Sequence, residues 1–265
     1  MIRKLGEADR EPLMALLRKD PALNLYIIGD VENFGFEQDF MELWGEICGR
    51  DGRLKAVLLR FYGSFLPYAD GPFDAAGFAG LMKASRGFET VSGSAEAVKA
   101  VARHLNVRTE KHMHFAELRE PNDTLLSAAA SAQAIKKATP ADVDDICSLT
   151  DQIAEFSSSA DASRKSLRKT LETGTGRTYY MEHNGQVIST ASTAAENSMS
   201  AMIIAVATHP AYRGQGLAGR VAARLSADML AEGKSLCLFY DNPQAGLIYR
   251  KLGYQDIGCW SMLYM

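Results

Sequence analysis

One stretch of twelve residues, HPAYRGQGLAGR at positions 209–220, restricts the fold more than any other part of the chain. It follows the apolar run AMIIAVAT and precedes VAARLSADMLAEG, which has helical periodicity. A strand that leads through glycines into a helix makes an anion site, because the first N–H groups of a helix lack internal partners and carry the positive end of its dipole. Glycines also let an anion approach the backbone closely.

The spacing of the glycines selects among phosphate-binding loops. A P-loop requires Lys and then Ser or Thr after its last glycine, whereas Leu217 and Ala218 follow Gly216. The segment GQGLAG matches the dinucleotide pattern GxGxxG, but that loop follows the first strand of its fold. Here it comes after several predicted strands, which argues against a dinucleotide loop. Because the pattern itself matches, a dinucleotide-binding module is kept as an alternative.

The order of predicted elements occurs twice along the chain. The second half runs as strand, helix from the N-cap Thr139, helix ending at Gly174, hairpin at Asn184-Gly185, central strand, glycine loop with its helix, strand, helix ending at Gly253, and strand. The first half has a similar order of predicted strands and helices, with a hairpin at Asp51-Gly52. We predict an α/β (α+β) protein of two similar domains, each with a mixed, mostly antiparallel sheet flanked by helices. Its predicted parts are a first domain at 1–122, a linker rich in small residues at 123–133 and a second domain at 134–265.

Composition narrows the functional classes. A net charge of −3 gives no reason to expect a nucleic-acid partner, and no apolar run approaches the ~20 residues that span a bilayer. Four widely spaced cysteines argue against a zinc site and a disulfide framework, so we expect a cytoplasmic protein. His112 and His114 share a face of a predicted strand but lack a further ligand at metal-binding spacing. We therefore interpret them as solvent-facing residues and predict no metal.

Two spaced motifs resemble the GNAT superfamily of N-acetyltransferases. The family's pyrophosphate loop reads Arg/Gln-x-x-Gly-x-Gly/Ala, and Arg213, Gly216 and Ala218 match it. The segment NPQAGLIYRKLGY is similar to the family's Asn-x-x-Ala-x-x-x-Tyr-x-x-x-Gly-Phe/Tyr motif. This resemblance covers about residues 134–265. The first half, mainly through NLYIIGDVENFGF, resembles the degenerate GNAT-like domain at the front of some two-domain bacterial members.

The resemblance implies acetyl-CoA as the cofactor and gives several residues a role. It implies that the loop binds the pyrophosphate, that the preceding strand binds the pantetheine amides and polarises the thioester carbonyl, and that Tyr249 protonates the departing thiolate. Its simpler alternatives are that Arg213 is a surface charge, Tyr249 a packing residue and His209 a turn residue. The residues expected to bind the cofactor are Val206, Ala207, Thr208, Arg213, Gly214, Gln215, Gly216, Leu217, Ala218, Gly219 and Asn242.

A general base is missing from the pattern. Some family members carry Glu on the strand before the loop, but Met202 occupies that position here. No spacing singles out another carboxylate, so ordered water and an acceptor with a lowered pKa stay open. The carboxylates of the hairpin, the connection after it and the first helix are Glu182, Glu196, Asp151 and Glu155.

The first half lacks these features. Asp70 and Asp74 in ADGPFDAAGFAG would repel a pyrophosphate, and Val101 or Ala102 stands where the second half has Tyr249. We expect this half to bind no CoA. The predicted function is acetyl transfer to a primary amine, of a small molecule or a protein amino terminus, by direct attack in a ternary complex. We expect a monomer or homodimer without a membrane partner, and the alternative is a non-catalytic acyl-CoA-binding regulator.

Overall fold

The computed structural model describes residues 1–49, 52–131, 134–153, 156 and 160–265. Asp51 of one predicted turn and the candidate base Glu155 lie outside the described residues. The helices in the described parts are α1 (Arg10–Leu17), α2 (Leu25–Phe34), α3 (Ala75–Ala84), α4 (Ala95–Ala102), α5 (Asp123–Ala130), α6 (Val143–Thr150), α7 (Ala160–Thr173), α8 (Leu217–Ala231) and α9 (Pro243–Lys251). The strands there are β1 (Ile2–Lys4), β2 (Met41–Ile47), β3 (Leu54–Phe61), β4 (Ser64–Ala69), β5 (Thr90–Ser94), β6 (Thr109–Leu118), β7 (Ile135–Lys137), β8 (Thr178–His183), β9 (Gln186–Ala194), β10 (Ser200–Thr208), β11 (Ser235–Tyr240) and β12 (Gln255–Tyr264).

The chain divides into two compact units. The first unit comprises Met1–Phe115 and Asp256–Met265, and the second unit comprises Ala116–Gln255. The last strand therefore belongs to the first unit, where β12 pairs antiparallel with β5 and Leu263 lies in the core. This division differs from the domain boundaries that the sequence suggested.

The two units repeat one strand arrangement. In the first unit the order is β1-β2-β3-β4-β5, and in the second unit it is β7-β8-β9-β10-β11. Neighbouring strands are antiparallel except in the last pair of each series, β4–β5 and β10–β11, which is parallel. The predicted fold class, a mixed and mostly antiparallel sheet used twice, is confirmed.

Alternating side chains of β8 explain how the sheet of the second unit is covered. Successive residues of a strand point to opposite faces, and Tyr179 belongs to the core cluster that contains α8, whereas Tyr180 belongs to the one that contains α6. The Tyr179 hydroxyl donates to Asp228 on α8 at 2.7 Å. On the other face, the Tyr180 hydroxyl donates to Asp142, just before α6, at 2.9 Å.

The segment predicted as a linker is largely helical. Asn122 caps α5, because its side-chain oxygen accepts the N–H of Leu125 at 2.8 Å. Leu125 and Ala129, four residues apart, are buried in the core of the second unit. The described part of the segment is thus packed structure, and the prediction of a linker is corrected there. Residues 132 and 133 lie outside the described residues.

Several smaller predictions are confirmed. The turn at Asn184-Gly185 joins β8 to β9, and α7 ends immediately before Gly174. Gly253 follows α9 with a φ of +99°. Among the described residues, no helix combines the length and the apolar character that crossing a membrane requires.

Candidate functional site

The parallel pair β10–β11 stops partway along both strands. Its register runs from Ser200 opposite Ser235 to Met202 opposite Cys237. Beyond this point β10 continues to Thr208 and β11 to Tyr240. Among the described residues, the second half of β10 therefore has no ladder partner on the β11 side. The predicted pantetheine-binding residues Val206, Ala207 and Thr208 lie in this half.

A β-bulge interrupts β10 in the same place. The register with β9 shifts between Ile204 and Ala207, and Ala205 has a φ of +51°. A left-handed alanine is strained by roughly 1–3 kcal/mol and persists where its surroundings hold it. At the far end of the bulge, the Ser189 hydroxyl donates to the Ala207 carbonyl at 2.9 Å. Bulges of this kind redirect strands beside functional sites. The residue types in the run AMIIAVAT do not predict a bulge.

After β10, the chain turns through the glycine loop into α8. Gly214 and Gly216 have φ values of +78° and +72°, in the left-handed region that favours glycine. A Cβ at either position would meet no atom within 4 Å. Gly216 is the N-cap of α8, and its carbonyl accepts the N–H of Arg220 at 3.1 Å. The loop thus presents bare backbone to open space.

The backbone donors of this loop are unused. Within the described residues, none of the six N–H groups from Gly214 to Gly219 makes a hydrogen bond of normal geometry, and Gly216 has no side chain with which to cap the helix. The predicted anion site at the start of α8 is therefore open. Gly219 faces α9, where a Cβ would lie 3.4 Å from Ile248.

The two arginines of the loop differ. Arg213 is exposed, and its Nε donates to the Thr208 carbonyl at 3.3 Å, which holds the side chain at the end of β10. The Nη2 of Arg220 donates to the carbonyl of Ser131, after α5, at 3.1 Å. Arg213 is thus the arginine that stays beside the open loop.

Tyr249 lies in a cluster of three tyrosines. Its ring centroid is 6.1 Å from that of Tyr240 and 5.8 Å from that of Tyr254. The Tyr254 hydroxyl is paired with Ser226 at 2.9 Å, whereas the Tyr249 hydroxyl has no hydrogen-bond partner among the described residues. Burial raises the pKa of Tyr249 to about 12. At neutral pH the hydroxyl is protonated and available as a donor.

Asn242 begins α9. Its side-chain oxygen accepts the N–H of Gln244 at 2.9 Å, so the residue acts as a helix cap. The residue is exposed, and its amide nitrogen has no partner among the described residues. If Asn242 contacts a cofactor, its side-chain amide nitrogen is the group available to do so. This contact stays a prediction.

The described candidate bases form ion pairs with lysine and arginine side chains. Met202 is buried between its strand neighbours and offers no proton acceptor. Glu196 is also buried and engages two cations, the second being Lys234 at 3.5 Å. The three described carboxylates form the pairs Glu182–Lys136 at 2.6 Å, Asp151–Arg164 at 2.7 Å and Glu196–Arg177 at 2.8 Å.

The histidines of β6 have ordinary polar neighbours. The Nδ1 of His112 lies 2.8 Å from the hydroxyl of Ser261, and its Nε2 lies 3.4 Å from Glu110. In the part of the chain that the structure describes, no three His, Cys, Asp or Glu side chains are grouped to hold a metal ion.

Comparison with known proteins gives a family and a fold. A sequence model described as GNAT acetyltransferase matches residues 58–263. A tandem GNAT protein from the clavulanic acid biosynthesis pathway has a TM-score of 0.61 at 14% identity, with 100% of this chain and 98% of that one covered. A GCN5-related N-acetyltransferase from Sphaerobacter thermophilus has a TM-score of 0.61 at 15% identity, covering 100% and 95%.

A third structure extends the same likeness. The GNAT-family acetyltransferase from Colwellia psychrerythraea has a TM-score of 0.59 at 14% identity, covering 100% of this chain and 99% of that one. At such identities the likeness concerns the fold, and it extends over the whole chain. No curated protein sequence matches.

Proposed function

This chain belongs to the GNAT acetyltransferase family, and on that premise we propose that it is an N-acetyltransferase that moves the acetyl group of acetyl-CoA to a primary amine. The transfer proceeds by direct attack of the amine in a ternary complex. One observation carries the proposal: the unused N–H groups from Gly214 to Gly219 follow directly on a bulged strand that has separated from its neighbour.

The residues present suit acetyl-CoA. Open backbone at Gly214 and Gly216, together with the charge of Arg213, suits a pyrophosphate. The unpaired side of β10 from Val206 to Thr208 suits the amide-bearing arm, which can add to a strand edge through its main-chain-like amides. Gln215, Leu217, Ala218, Gly219 and Asn242 complete the proposed binding set. The thioester supplies an acyl carbon that an amine can attack.

The chain itself contributes a proton and backbone donors. Tyr249 gives its hydroxyl proton to the leaving sulfur, since this hydroxyl is protonated and has no internal acceptor. A backbone N–H in the second half of β10 polarises the reacting carbonyl, an effect of the kind that is worth ~10²–10³ in rate. Because the described carboxylates are ion-paired, water or a low-pKa amine accounts for the proton that the acceptor loses.

The remaining parts of the proposal concern the setting. The acceptor is a small-molecule amine or a protein amino terminus, and the protein works in the cytoplasm as a monomer or homodimer. The net charge of −3 supports an acceptor other than nucleic acid.

A ligand screen tests the cofactor first. Acetyl-CoA at 100 times its dissociation constant should stabilise the folded protein by ~2.7 kcal/mol, measured as a thermal shift beside CoA and NAD. A panel of amines with detection of released thiol then tests turnover. Protection by NAD alone would instead indicate a dinucleotide module. Binding of acetyl-CoA without turnover of any amine would indicate a regulator.

A further inference from the structure

Helix α9, which carries Tyr249, is only partly embedded in the second unit. Of its nine residues, all of which the structure describes, only Gly246 and Tyr249 are buried. The Tyr249 hydroxyl makes no hydrogen bond within the described part of the chain. Its position therefore depends on the packing of its ring and on the helix backbone that carries it.

The chain after α9 folds back onto the Tyr249 backbone. The Tyr249 carbonyl accepts the N–H of Leu252 at 3.0 Å and that of Tyr254 at 3.1 Å. The last carbonyls of a helix have no partner within it, and these bonds satisfy one of them. The carbonyl of Lys251, the last residue of α9, receives no backbone N–H from the residues that the structure describes.

Asn122, at the start of α5, supplies a donor to that carbonyl. Its Nδ2 donates to the Lys251 carbonyl at 3.1 Å, while its Oδ1 accepts the N–H of Leu125 at 2.8 Å. A Cβ on Gly253 would lie 3.2 Å from the same Nδ2, so Asn122 packs directly against the turn that ends α9. One side chain thus connects the start of α5 to the end of α9.

Helix α5 is a firm support for this connection. Leu125 and Ala129 of α5 lie in the core cluster that also contains Tyr249. Asn122 therefore extends from a helix that is anchored in the core to the end of a helix that is not. The main chain on both sides of this bond belongs to the second unit.

We propose that Asn122 is a positioning residue for acetyl transfer, because its bond to the Lys251 carbonyl fixes the end of α9 and thereby the place of the Tyr249 hydroxyl. This inference rests on the proposed function, in which that hydroxyl gives its proton to the leaving sulfur. Asn122 itself touches no reacting atom. Reacting groups need close alignment, and a misplacement of about 1 Å can cost ~10²-fold in rate.

The variant Asn122→Asp tests this bond by itself. Aspartate keeps the oxygen that caps α5, since Asp and Asn cap helices about equally well, but it has no N–H for the Lys251 carbonyl. We expect kcat to fall about tenfold and KM for acetyl-CoA to change less than about twofold, because the loop before α8 is untouched. The matched control is Ser131→Ala, which removes a hydroxyl bonded to the Ala128 carbonyl at the other end of α5 and should leave kcat near that of the parent.

A double variant separates positioning from general support of the fold. In a Tyr249→Phe background, Asn122→Asp should lower kcat no further, because the hydroxyl that it positions is gone. The same fall in both backgrounds overturns the inference, and so does parent-like kcat in Asn122→Asp alone. Parent-like turnover in Tyr249→Phe would overturn the proposed role of Tyr249 and this inference with it.

Amide hydrogen exchange tests the same bond without turnover. In Asn122→Asp the N–H groups of Leu252 and Tyr254 should exchange about tenfold faster than in the parent, the range for loss of one hydrogen bond. In Ser131→Ala they should exchange at the parent rate. Unchanged exchange in Asn122→Asp overturns the inference even if kcat falls. A parent protein that acetylates no amine would overturn the proposed function, and the exchange rates would then decide whether Asn122 holds the end of α9.

Discussion

The connection from β4 to α3 in the first unit and the connection from β10 to α8 in the second unit occupy the same place in the repeated strand order. The N-cap of α3 is Asp74, whose carboxylate accepts the N–H of Gly77 at 2.8 Å. The N-cap of α8 is Gly216, which has no side chain. The start of α3 thus has a carboxylate supplied by its own sequence, whereas the start of α8 has no such group.

The same contrast extends through the first connection. Asp70, at the end of β4, is paired with Lys19 and lies 4.0 Å from Arg53. Carboxylates thus stand where the second unit has glycines and Arg213, and the cations near Asp70 are already engaged by it. The expected absence of CoA binding in the first unit has a physical reason here, and it stays a prediction.

The strands differ as well. β4 pairs with β3 without a shift in register, while β10 bulges at Ala205. Pro67 lies two residues beyond Phe65, the last β4 residue paired with β5. Proline has no backbone N–H that could donate to a ligand at this place. On the same strand order, a few residues thus decide whether the helix after the fourth strand begins with a side-chain cap or with an uncapped glycine.

The largest expected effect concerns Tyr249. At the corresponding position of the first unit, α4 has an apolar residue, Val101 or Ala102. Tyr249→Phe removes a hydroxyl and keeps the ring, so packing should survive. Turnover should fall within the ~10²–10⁴ range of a positioned acid, with acetyl-CoA affinity nearly unchanged. The loss should appear in kcat more than in KM, because the bond matters as charge builds on sulfur.

Tyr254→Phe is the matched control for this experiment. It lies in the same ring cluster, but its hydroxyl is bonded to Ser226, so turnover should stay near that of the parent. Parent-like turnover in Tyr249→Phe would return this residue to a packing role and remove one difference between the units.

The next effect concerns the open helix end. Gly216→Glu places a carboxylate and a side chain at a φ of +72° where the phosphate must approach. The ~2.7 kcal/mol stabilisation by acetyl-CoA at 100 times its dissociation constant should disappear, as measured by thermal shift. Gly80→Glu on α3 introduces the same charge where a Cβ meets open space, and there the shift should persist. An undiminished shift in Gly216→Glu would show that the loop is not the cofactor site.

The smallest effect concerns the closed helix end. Asp74→Ala removes the cap of α3 and should lower the free energy of unfolding by about 1 kcal/mol, measured by denaturant titration. Asp74→Ser keeps an acceptor oxygen and should recover most of that loss. Acetyl-CoA binding should be unchanged in both variants. A change in that binding would mean that the two helix ends are not independent.

The sequence predicted much of this arrangement because several signals are local. Gly216 and Asn184-Gly185 each mark a helix end or a turn through their own backbone preference. Thr139, predicted as the N-cap of the first helix of this half, instead caps a 3₁₀ turn at Pro140–Asp142, and α6 begins at Val143 with Asp142 as its N-cap. Two features were hidden. Ala205 adopts a left-handed conformation that its identity disfavours, and strand periodicity in the last ten residues indicates a strand without indicating its partner. The helix at 123–130 was missed because small residues suggested a connection, although Asn122 as a cap and Leu125 and Ala129 at helical spacing marked it.

The position of β12 bears on the order in which the protein can fold. β5 pairs with β12, which lies about 160 residues later in the chain, so during synthesis the first unit lacks one strand until residues 255–264 have left the ribosome. Such distant pairings form slowly and leave a strand edge exposed in the meantime. Deleting Asp256–Met265 should therefore damage the part of the molecule that was translated first.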